Sequence, residues 1–556
     1  MSEAVVGDTG IGRRLVGVGV GPGDPRLLTV AAVEALRSAP IVLVPTSDMA
    51  EPGRAEAVVA HYVPAEKIRR IEFLLGRSGD RDAVWEMAAA QVIDYLEQYG
   101  WACFATLGDP SLYSTFYRLA QGMRKLGFEG QLETIPGIAA FQALAAEAKI
   151  PLALENDSVL LLSGNAALER LYSALASMQP GSVVVYKIGS NLAEIAQALG
   201  GIFGVDSLVY GTELGTPNSK LYEGEEVPQA PPRYLGTLVA GRRVAGIAQA
   251  KAEVPQTGIS SHKESSQKES LHREAAPEES AAAKAGRSGK VFFVGAGPGA
   301  EDLLTLRAAR LLGQADVVVW AGSLVNPKVL EYVRSGCKVE DSSRLTRREI
   351  EALLDHAKAG ATVVRLCSGD PAIYSAISEQ IDYCIRNEIP YEIVPGVSSL
   401  SAAASAVGTE LTSPGVAQAV AICRSRGRTT EGRGEHTGPG VLAQPGTTLA
   451  IFLSADRAAD VADELIAAGL DPSTPACVVY RASWPEEVVE RTDLGHLGEV
   501  IERLGIRRQA LILVGQALAA EQMALPSKLY DPAFGHGFRK SRHEPKRQES
   551  SNTIAS

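Results

Sequence analysis

The chain has 556 residues, of which 46% are hydrophobic and 21% are charged, and its formal net charge is −11 at pH 7. This length predicts about two to four domains, and the acidic balance argues against nucleic acid as the main partner. No apolar run reaches the roughly 18 residues that a membrane-spanning helix needs. The N-terminus also lacks the basic and apolar regions of a signal peptide. We therefore expect a cytoplasmic protein that has no membrane partner.

The cysteines and histidines show neither a disulfide framework nor a metal-binding spacing. No CxxC, HxxxH or HExxH pattern occurs, so no dedicated metal site is expected. Scattered single cysteines are typical of reduced thiols in a cytosolic protein. The six cysteines are Cys103, Cys337, Cys367, Cys384, Cys423 and Cys477.

The first elements of the chain are a strand, a glycine-rich turn and a helix. The turn GVGVGPGDPRLLT runs from Gly17 to Thr29, and the pattern predicts a helix over Leu27 to Arg37. A second apolar strand, IVLV, begins at Ile41. Because these β-branched runs do not alternate with polar residues, they indicate strands that are covered on both faces, as in a parallel sheet.

Later elements predict a second lobe. The strand that begins at Ala102 leads into LGDP, and a helix is predicted over SLYSTFYRLAQGM from Ser111. Further strands are predicted at SVVVYKIG (from Ser182) and SLVYGTEL (from Ser207). These later strands indicate a second α/β lobe, and a cleft between two lobes is a common place for a ligand.

Each of these patterns occurs again in the second half of the chain. The order and the approximate spacing are the same in both halves, which predicts two copies of one unit. The paired segments are LVGVGVGPGDPRLLT (Leu15) with VFFVGAGPGAEDLLT (Val291), ACFATLGDPSLYS (Ala102) with VVRLCSGDPAIYS (Val363), and LETIPGIAAFQ (Leu132) with YEIVPGVSSLS (Tyr391). In the second copy, helices are predicted over Leu303 to Leu312 and over AIYSAISEQIDYC from Ala372, and strands at TLAIFLSA and ACVVYRAS.

The two copies are separated by a segment that cannot form a core. Gln256 to Lys290 is rich in Ser, Glu, Lys and Ala and has almost no large apolar residue. We predict a first unit over 11–250, a flexible linker over 251–289, a second unit over 290–525 and a disordered basic tail over 526–556.

The glycine-rich turn has two interpretations from its residues alone. A dinucleotide site needs G-x-G-x-x-G and an acidic residue after the second strand. In the first copy Pro22 occupies the third glycine position and offers no N–H to a phosphate. The second strands lead into Pro45 and Ala321, neither of which is acidic. The alternative is a tight turn that lets two lobes approach each other.

Taken together, the three motifs resemble those of the tetrapyrrole methylases, which use S-adenosylmethionine. The resemblance rests on G-x-G-P-G, L-x-x-G-D-P and (V/I)-P-G-x-(S/A)-(S/A), each found in both halves. It implies an α/β fold of two tandem methylase units, each of two α/β lobes with a cleft between them. It also implies S-adenosylmethionine in that cleft, a small-molecule tetrapyrrole as substrate, and pairing of units within a chain or between chains.

Within the family, each half resembles a different group. The first half is similar to the precorrin-2 C20-methyltransferases through LGDPSLYSTF and VVYKIGSN, and departs from them at Ile138-Ala139-Ala140, where Val-Ser-Ser is more usual. The second half is similar to the precorrin-4 C11-methyltransferases through AGSLVNPKVL (Ala321), CRSRGRT (Cys423) and VYRASWPEE (Val479). The implied activity is bifunctional C-methylation in cobalamin biosynthesis.

The resemblance implies a set of cofactor-binding residues in each unit. In the first unit these are Pro22, Leu107, Gly108, Asp109, Leu112, Ala139, Ala140 and Ile188. In the second unit they are Pro298, Ser368, Gly369, Asp370, Ile373, Ser398, Ser399, Leu453 and Ala482.

Asp109 and Asp370 are the candidates for a catalytic role, although an Asp before Pro is also a good helix N-cap. The acidic residue that the related uroporphyrinogen methylase carries after its second strand has no counterpart here. A substrate with many carboxylates calls for Arg. The cluster Arg424, Arg426 and Arg428 is therefore the candidate for substrate binding, and a solvated loop is the alternative; in the first half Lys187 is the candidate.

Two alternatives to this bifunctional activity stay open at this point. The acceptor can be a cobalt-precorrin or another ring, because the motifs report the cofactor better than the substrate. One copy, the first in view of its Ile-Ala-Ala sequence, can also be an inactive scaffold.

Overall fold

A computed structural model of the chain describes residues 12–73, 81–164, 180–230, 236–241, 289–425 and 438–519. The predicted tail, and the predicted linker apart from Gly289, lie outside these ranges. The boundaries at 11–250 and 290–525 remain predictions. In the described part of the chain, no helix is long and apolar enough to cross a membrane.

The N-terminal unit alternates strands and helices along the chain. Its strands in the described ranges are β1 (Arg14–Gly19), β2 (Val42–Thr46), β3 (Ile68–Glu72), β4 (Trp101–Thr106), β5 (Gln131–Ile135), β6 (Val159–Ser163), β7 (Ser182–Tyr186), β8 (Leu208–Thr212), β9 (Lys220–Glu223) and β10 (Gly236–Gly241). Its helices there are α1 (Val30–Ser38), α2 (Arg54–Val59), α3 (Arg81–Tyr99), α4 (Phe116–Lys125), α5 (Ala140–Ala148) and α6 (Leu192–Phe203).

The C-terminal unit follows the same order. Its described strands are β11 (Lys290–Gly295), β12 (Val317–Trp320), β13 (Lys338–Asp341), β14 (Thr362–Cys367), β15 (Tyr391–Val394), β16 (Ala419–Arg424), β17 (Thr447–Phe452), β18 (Pro475–Tyr480), β19 (Val488–Asp493) and β20 (Ala510–Val514). Its described helices are α7 (Leu306–Gln314), α8 (Arg347–Leu354), α9 (Ser378–Arg386), α10 (Ser399–Val407), α11 (Ala458–Ala467) and α12 (Leu497–Leu504).

The first lobe of each unit is a five-stranded parallel sheet. The strand order is β3-β2-β4-β1-β5 in one unit and β13-β12-β14-β11-β15 in the other. Matching order in the two sheets agrees with the repeat seen in the sequence. The two-lobed α/β fold that was predicted for each unit is therefore confirmed.

The second lobes of the two units share one mixed sheet of ten strands. Its order is β19-β18-β20-β17-β16-β6-β7-β10-β8-β9, so that β6 and β16 join the two units. These two strands run antiparallel, with Val159 opposite Ile422 and Leu162 opposite Ala419. Apolar side chains of both units, Phe141 and Leu400 among them, pack into one buried cluster against this sheet.

Four helices begin later than the sequence predicts. α1 begins at Val30 and α7 at Leu306, because the hydroxyls of Thr29 and Thr305 accept the N–H of Ala32 and of Ala308 as N-caps. The helices after Gly-Asp-Pro, α4 and α9, start five or more residues later than predicted. The reason is that Tyr113 and Tyr374 have φ of 49° and 50°, a left-handed conformation that a right-handed helix does not contain.

Candidate active site

The three repeated motifs meet at the carboxyl ends of β1 and β4. The N–H of Gly21 donates to the carbonyl of Gly108 at 3.2 Å, and the N–H of Gly108 donates back to Gly21 at 2.8 Å. A Cβ on Gly19 would lie 2.6 Å from the nitrogen of Gly137 and 2.9 Å from the oxygen of Gly108. The glycines are therefore required because three backbone segments touch.

The opening loop also contacts the second lobe. A Cβ on Gly23 would lie 2.6 Å from the carbonyl oxygen of Leu214, which follows β8. The N–H of Gly21 already donates to the carbonyl of Gly108, so it is not available to a phosphate. Of the two interpretations of the loop, the geometry matches a turn where two lobes approach each other.

A cleft lies between the two lobes of the N-terminal unit and encloses about 670 Å³, part of it open to solvent. This size is in the range of sites for small molecules. Both apolar and polar residues line it. Its lining residues are Pro22, Arg54, Leu107, Gly108, Asp109, Leu112, Tyr113, Ala139, Ala140, Tyr186, Lys187, Leu214, Gly236 and Thr237.

Seven of the eight residues that were predicted to contact the cofactor in this unit line the cleft. The eighth, Ile188, is fully buried in the core of the second lobe, and its neighbour Lys187 lines the cleft instead. A shift of one residue at a strand end turns a side chain to the opposite face. Leu214 was not predicted, although its equivalent Ala482 was; the carbonyl oxygen of Ala482 faces Gly299 as that of Leu214 faces Gly23.

Lys187 is the buried amine of this cleft. Its Nζ donates to the carbonyl of Tyr113 at 2.8 Å. Burial lowers the pKa of Lys187, and the nearby carboxyl of Glu410 opposes that effect. Tyr113 and Tyr186 complete this wall with ring centroids 5.2 Å apart. Across the lobe boundary, Arg54 of the first lobe pairs with Glu213 of the second lobe at 3.2 Å.

Both carboxylate oxygens of Asp109 accept hydrogen bonds from neighbouring loops. Oδ1 accepts the N–H of Ser111 at 2.9 Å and also its hydroxyl, and Oδ2 accepts the N–H of Gly137 at 3.0 Å. Burial raises the pKa of Asp109, and these hydrogen bonds oppose the rise. The carboxylate caps a turn, because α4 begins only at Phe116. The alternative of a helix N-cap is therefore wrong.

Asp370 repeats this arrangement in the C-terminal unit. Its Oδ1 accepts the N–H of Ala372 at 2.9 Å and its Oδ2 accepts the N–H of Gly396 at 3.1 Å. Burial raises the pKa of Asp370 to about 6. In both units the carboxylate ties the second motif to the third, which is a positioning arrangement.

The other residues predicted in the C-terminal unit lie around the corresponding loops. Gly369 exchanges backbone hydrogen bonds with Gly297, next to Pro298, and Ser398 caps α10 by accepting the N–H of Leu400 at 3.2 Å. Ser368 precedes this Gly369 turn, and Ser399 is the first residue of α10. Ile373 and Ala482 are buried in the cluster that both units share.

Leu453 occupies the position that Lys187 holds in the first unit. Both residues directly follow a central strand, β17 or β7, and have φ of 52° and 49°. The equivalent of the predicted residue Leu453 is therefore Lys187 and not the predicted Ile188, one residue away. Leu453 is 56% exposed, so an apolar side chain stands where the first unit has a buried amine.

A tryptophan links the two lobes of the C-terminal unit. Trp484 Nε1 donates to the carbonyl of Pro298 at 2.8 Å, and the N–H of Ala300 donates to Ser483 Oγ at 3.0 Å. The opening glycine loop of this unit is thereby held to the segment that follows β18. No feature of the glycine motif itself predicts this contact.

Of the predicted arginine cluster, Arg424 lies in the described chain, whereas Arg426 and Arg428 lie outside the described residues. Arg424 ends β16, and its Nη1 donates to the carbonyl of Glu155 at 3.0 Å. Its Nε is buried and has no hydrogen-bond partner among the described residues. Substrate binding by this cluster remains a prediction.

The fold and the cleft define a tandem α/β protein whose ligand site lies between two lobes, where parallel strands end. The chain belongs to the tetrapyrrole (corrin/porphyrin) methylases, since the profile of that family matches residues 14–226 and 290–498. The family and the two tandem units that the sequence predicts are thus confirmed.

Individual relatives match about one unit of the chain. A cobalt-precorrin-4 C(11)-methyltransferase of Methanocaldococcus jannaschii is 43% identical over 253 residues, which are 45% of this chain and 96% of the relative. A precorrin-4 C(11)-methyltransferase of a Sinorhizobium species is 41% identical over 251 residues, 45% of this chain and 98% of the relative. A solved uroporphyrin-III C-methyltransferase of Thermus thermophilus, complexed with S-adenyl homocysteine, is 35% identical and covers 41% of this chain and 93% of that chain, with a TM-score of 0.35.

Proposed function

We propose that the chain is a bifunctional S-adenosylmethionine-dependent C-methyltransferase of cobalamin biosynthesis. The C-terminal unit methylates precorrin-4 at C11, and the N-terminal unit methylates precorrin-2 at C20. The observation that carries the proposal is the convergence of all three family motifs on one cleft in the N-terminal unit, together with their recurrence in the C-terminal unit.

The cleft of the N-terminal unit fits the cofactor. Leu107, Leu112 and Ala139 offer apolar surface to an adenine ring, while Lys187 and Thr237 offer polar groups to the ribose or the amino-acid end. When bound, S-adenosylmethionine supplies a methyl group activated by a sulfonium. The backbone turns at Gly108 and Gly137 are fixed by Asp109, so the polar groups are held in place before any ligand binds.

The residues of the cleft act mainly by positioning. Methyl transfer is an in-line displacement, and holding two reactants in line contributes on the order of 7–11 kcal/mol when it is well achieved. Both oxygens of Asp109 already accept hydrogen bonds from the protein. That arrangement favours a structural role for this carboxyl over proton abstraction from the ring.

The two reactions are assigned by different observations. The C11 assignment is supported by the relatives that are 41–43% identical over a length close to one unit, and by the motifs from Ala321 to Val479 in the C-terminal unit. The C20 assignment is supported by the motifs of the N-terminal unit. One relative acts on a cobalt-precorrin and another on a precorrin, so both forms of the substrate belong in the test.

The experiment uses the full chain and a matched pair of cleft-filling variants. Ala140 and Ser399 are the first residues of α5 and α10 and are equivalent in the two units. We expect calorimetric titration with S-adenosylhomocysteine to give two sites in the wild type and one in each of Ala140→Trp and Ser399→Trp. Anaerobic assays with metal-free and cobalt-loaded substrates then read the product mass.

We expect each variant to lose one of the two methylation activities and to keep the other. Ala140→Trp should abolish addition of one methyl to precorrin-2 and leave methylation of precorrin-4 intact, and Ser399→Trp should do the reverse. One cofactor site in the wild type would contradict the bifunctional proposal and indicate a scaffold copy. Two cofactor sites without methylation of either substrate would overturn the assigned acceptors.

A further inference from the structure

The wall of the N-terminal cleft is held by residues of the other unit. Leu112 and Tyr113 line this cleft. They belong to a short loop, Ser111–Ser114, that precedes α4, and Tyr113 has the strained φ of 49° noted above. Such a conformation persists where surrounding contacts fix it.

The contacts that fix this loop come from a segment of the C-terminal unit, Glu410–Gln418, which we call the bracing segment. The N–H of Tyr113 donates to Thr412 Oγ1 at 2.6 Å, and its hydroxyl donates to the carbonyl of Gln418 at 2.8 Å. The N–H of Leu411 donates to the carbonyl of Ser111 at 3.0 Å. The backbone of the loop is thus hydrogen-bonded at both ends.

Glu410 completes the brace. Its Oε1 accepts the N–H of Ser114 at 3.3 Å and the hydroxyl of Thr412 at 3.3 Å. Glu410 is 4% exposed, and Thr412 is 3% exposed. The carbonyl of Tyr113 in turn accepts Nζ of Lys187, which lines the cleft. Thr412, Tyr113 and Lys187 therefore form one continuous chain of hydrogen bonds from the C-terminal unit to the N-terminal cleft.

In the C-terminal unit the equivalent loop is also held by the other unit, through backbone carbonyls, but the side-chain part of this arrangement is missing. When the two copies of the repeat are aligned, Pro151 is equivalent to Glu410, Ala153 to Thr412 and Leu453 to Lys187. The N–H of Tyr374 donates to the backbone carbonyl of Ala153 at 3.0 Å, so no side-chain hydroxyl is involved. The side-chain brace therefore belongs to the N-terminal cleft alone within the described chain.

We propose that Thr412 of the C-terminal unit is a positioning residue for the N-terminal cleft, where it fixes Tyr113 and through it Lys187. The two units are then joined for a functional reason, because one cleft needs the other unit to hold its wall. This inference rests on the proposed function of that cleft as a cofactor site.

The test compares two substitutions that separate the hydroxyl of Thr412 from its shape. Thr412→Val keeps the shape and loses the hydroxyl, whereas Thr412→Ser keeps the hydroxyl. In the Ser399→Trp background, which leaves only the N-terminal cleft, we expect Thr412→Val to weaken S-adenosylhomocysteine binding about tenfold, since a buried hydrogen bond is lost. Thr412→Ser should restore binding to within about twofold.

Two further measurements separate positioning from general damage. Amide exchange of the peptide that contains Tyr113 should accelerate in Thr412→Val and not in Thr412→Ser. The control is Thr409→Val, whose hydroxyl donates to the carbonyl of Ala517 inside the C-terminal unit. This variant should leave both the exchange and the N-terminal site unchanged.

The outcomes distinguish the inference from the proposed function. If Ser399→Trp alone binds no cofactor, the proposed N-terminal site is wrong. If it binds cofactor and Thr412→Val binds equally well, the bracing role is overturned. Equal weakening in Thr412→Val and Thr412→Ser also overturns it, because packing rather than the hydroxyl would then be responsible.

Discussion

Asp109 Oδ2 accepts the backbone N–H of Gly137 at 3.0 Å, which joins two loops that are 28 residues apart in sequence. The equivalent bond in the other unit joins Asp370 to Gly396 at 3.1 Å. In each unit the Gly-Asp-Pro motif is thus a connection between loops. The same connection explains why the motif recurs together with Pro-Gly in both halves of the chain.

Asp109→Asn tests whether this carboxylate is structural or catalytic. An amide can place only one acceptor oxygen, so either the N–H of Ser111 or that of Gly137 loses its partner. We expect the free energy of unfolding in urea to fall by about 1–3 kcal/mol. Asp94→Asn, on the exposed face of α3, is the control and should stay within about 0.5 kcal/mol of wild type. Unchanged stability combined with lost methylation would instead indicate catalysis.

Gly19→Ala tests the close approach of the three motifs. The added methyl would lie 2.6 Å from the backbone nitrogen of Gly137, which cannot move aside as a flexible side chain would. We expect destabilisation of about 2–3 kcal/mol in denaturant unfolding and loss of one cofactor site. Gly12→Ala has no heavy atom within 4 Å of the new methyl and should match wild type. Equal stability of the two variants would contradict the predicted crowding.

Much of this architecture could be predicted from the sequence, because the same strand patterns and motifs occur in both halves of the chain. Continuous apolar strands predict parallel sheets, and recurring motifs predict two units. The start of α4 could not be predicted, since the left-handed conformation of Tyr113 is imposed by Thr412 and Gln418, some 300 residues away in sequence. Pairing of β6 with β16 has no sequence signal either, because strand registers depend on tertiary packing.

The residues of the candidate site could also be predicted only where they belong to a sequence motif. Pro22, Gly108 and Ala139 belong to motifs and were predicted, whereas Arg54 and Thr237 line the cleft without belonging to any motif. The exchange of Ile188 for Lys187 shows how an error of one residue at a strand end selects the wrong face. Aligning the two copies beyond the motifs would have identified Leu214 from Ala482.

Trp484 gives the C-terminal unit its own optical reporter. Its indole N–H donates to the carbonyl of Pro298, a residue that is predicted to contact the cofactor. We expect S-adenosylhomocysteine to change the tryptophan fluorescence of the wild type, and Trp484→Phe to lose that change while still binding at the N-terminal cleft. Trp320→Phe is the matched control and should keep the signal. A full signal in Trp484→Phe would show that the ligand does not reach this boundary.

The shared ten-stranded sheet predicts that the N-terminal unit does not behave as a monomer alone. A fragment of residues 1–250 would leave β6 as an unpaired edge strand and would expose Phe141 and Leu161, which pack against residues of the other unit. Unpaired apolar edges associate with other chains. We expect sedimentation to show dimers or larger species for the fragment. A monodisperse monomer would contradict the role assigned to the β6–β16 pairing.

Glu410 is predicted to titrate far from its usual range. Burial raises its pKa from 4.5 to about 8, and Lys187 and Arg118, the charged groups that act on it, oppose the rise. A carboxyl whose pKa is raised by folding contributes stability that is fully present below pH 4.5 and is lost as the pH rises through 8. Glu410→Gln imitates the protonated form. The free energy of unfolding of Glu410→Gln, relative to that of the wild type, should therefore increase as the pH is raised from 6 to 9.

Infrared difference spectra of wild type minus Glu410→Gln observe that proton directly. At pH 6 the difference should contain the carbonyl stretch of a protonated carboxylic acid, and this band should titrate away with a midpoint near 8, the pKa that burial gives Glu410. Asp94→Asn, at an exposed carboxyl, is the control variant. A midpoint near the ordinary value of 4.5 would mean that Lys187 and Arg118 outweigh burial, so that Glu410 braces the Ser111–Ser114 loop as a carboxylate.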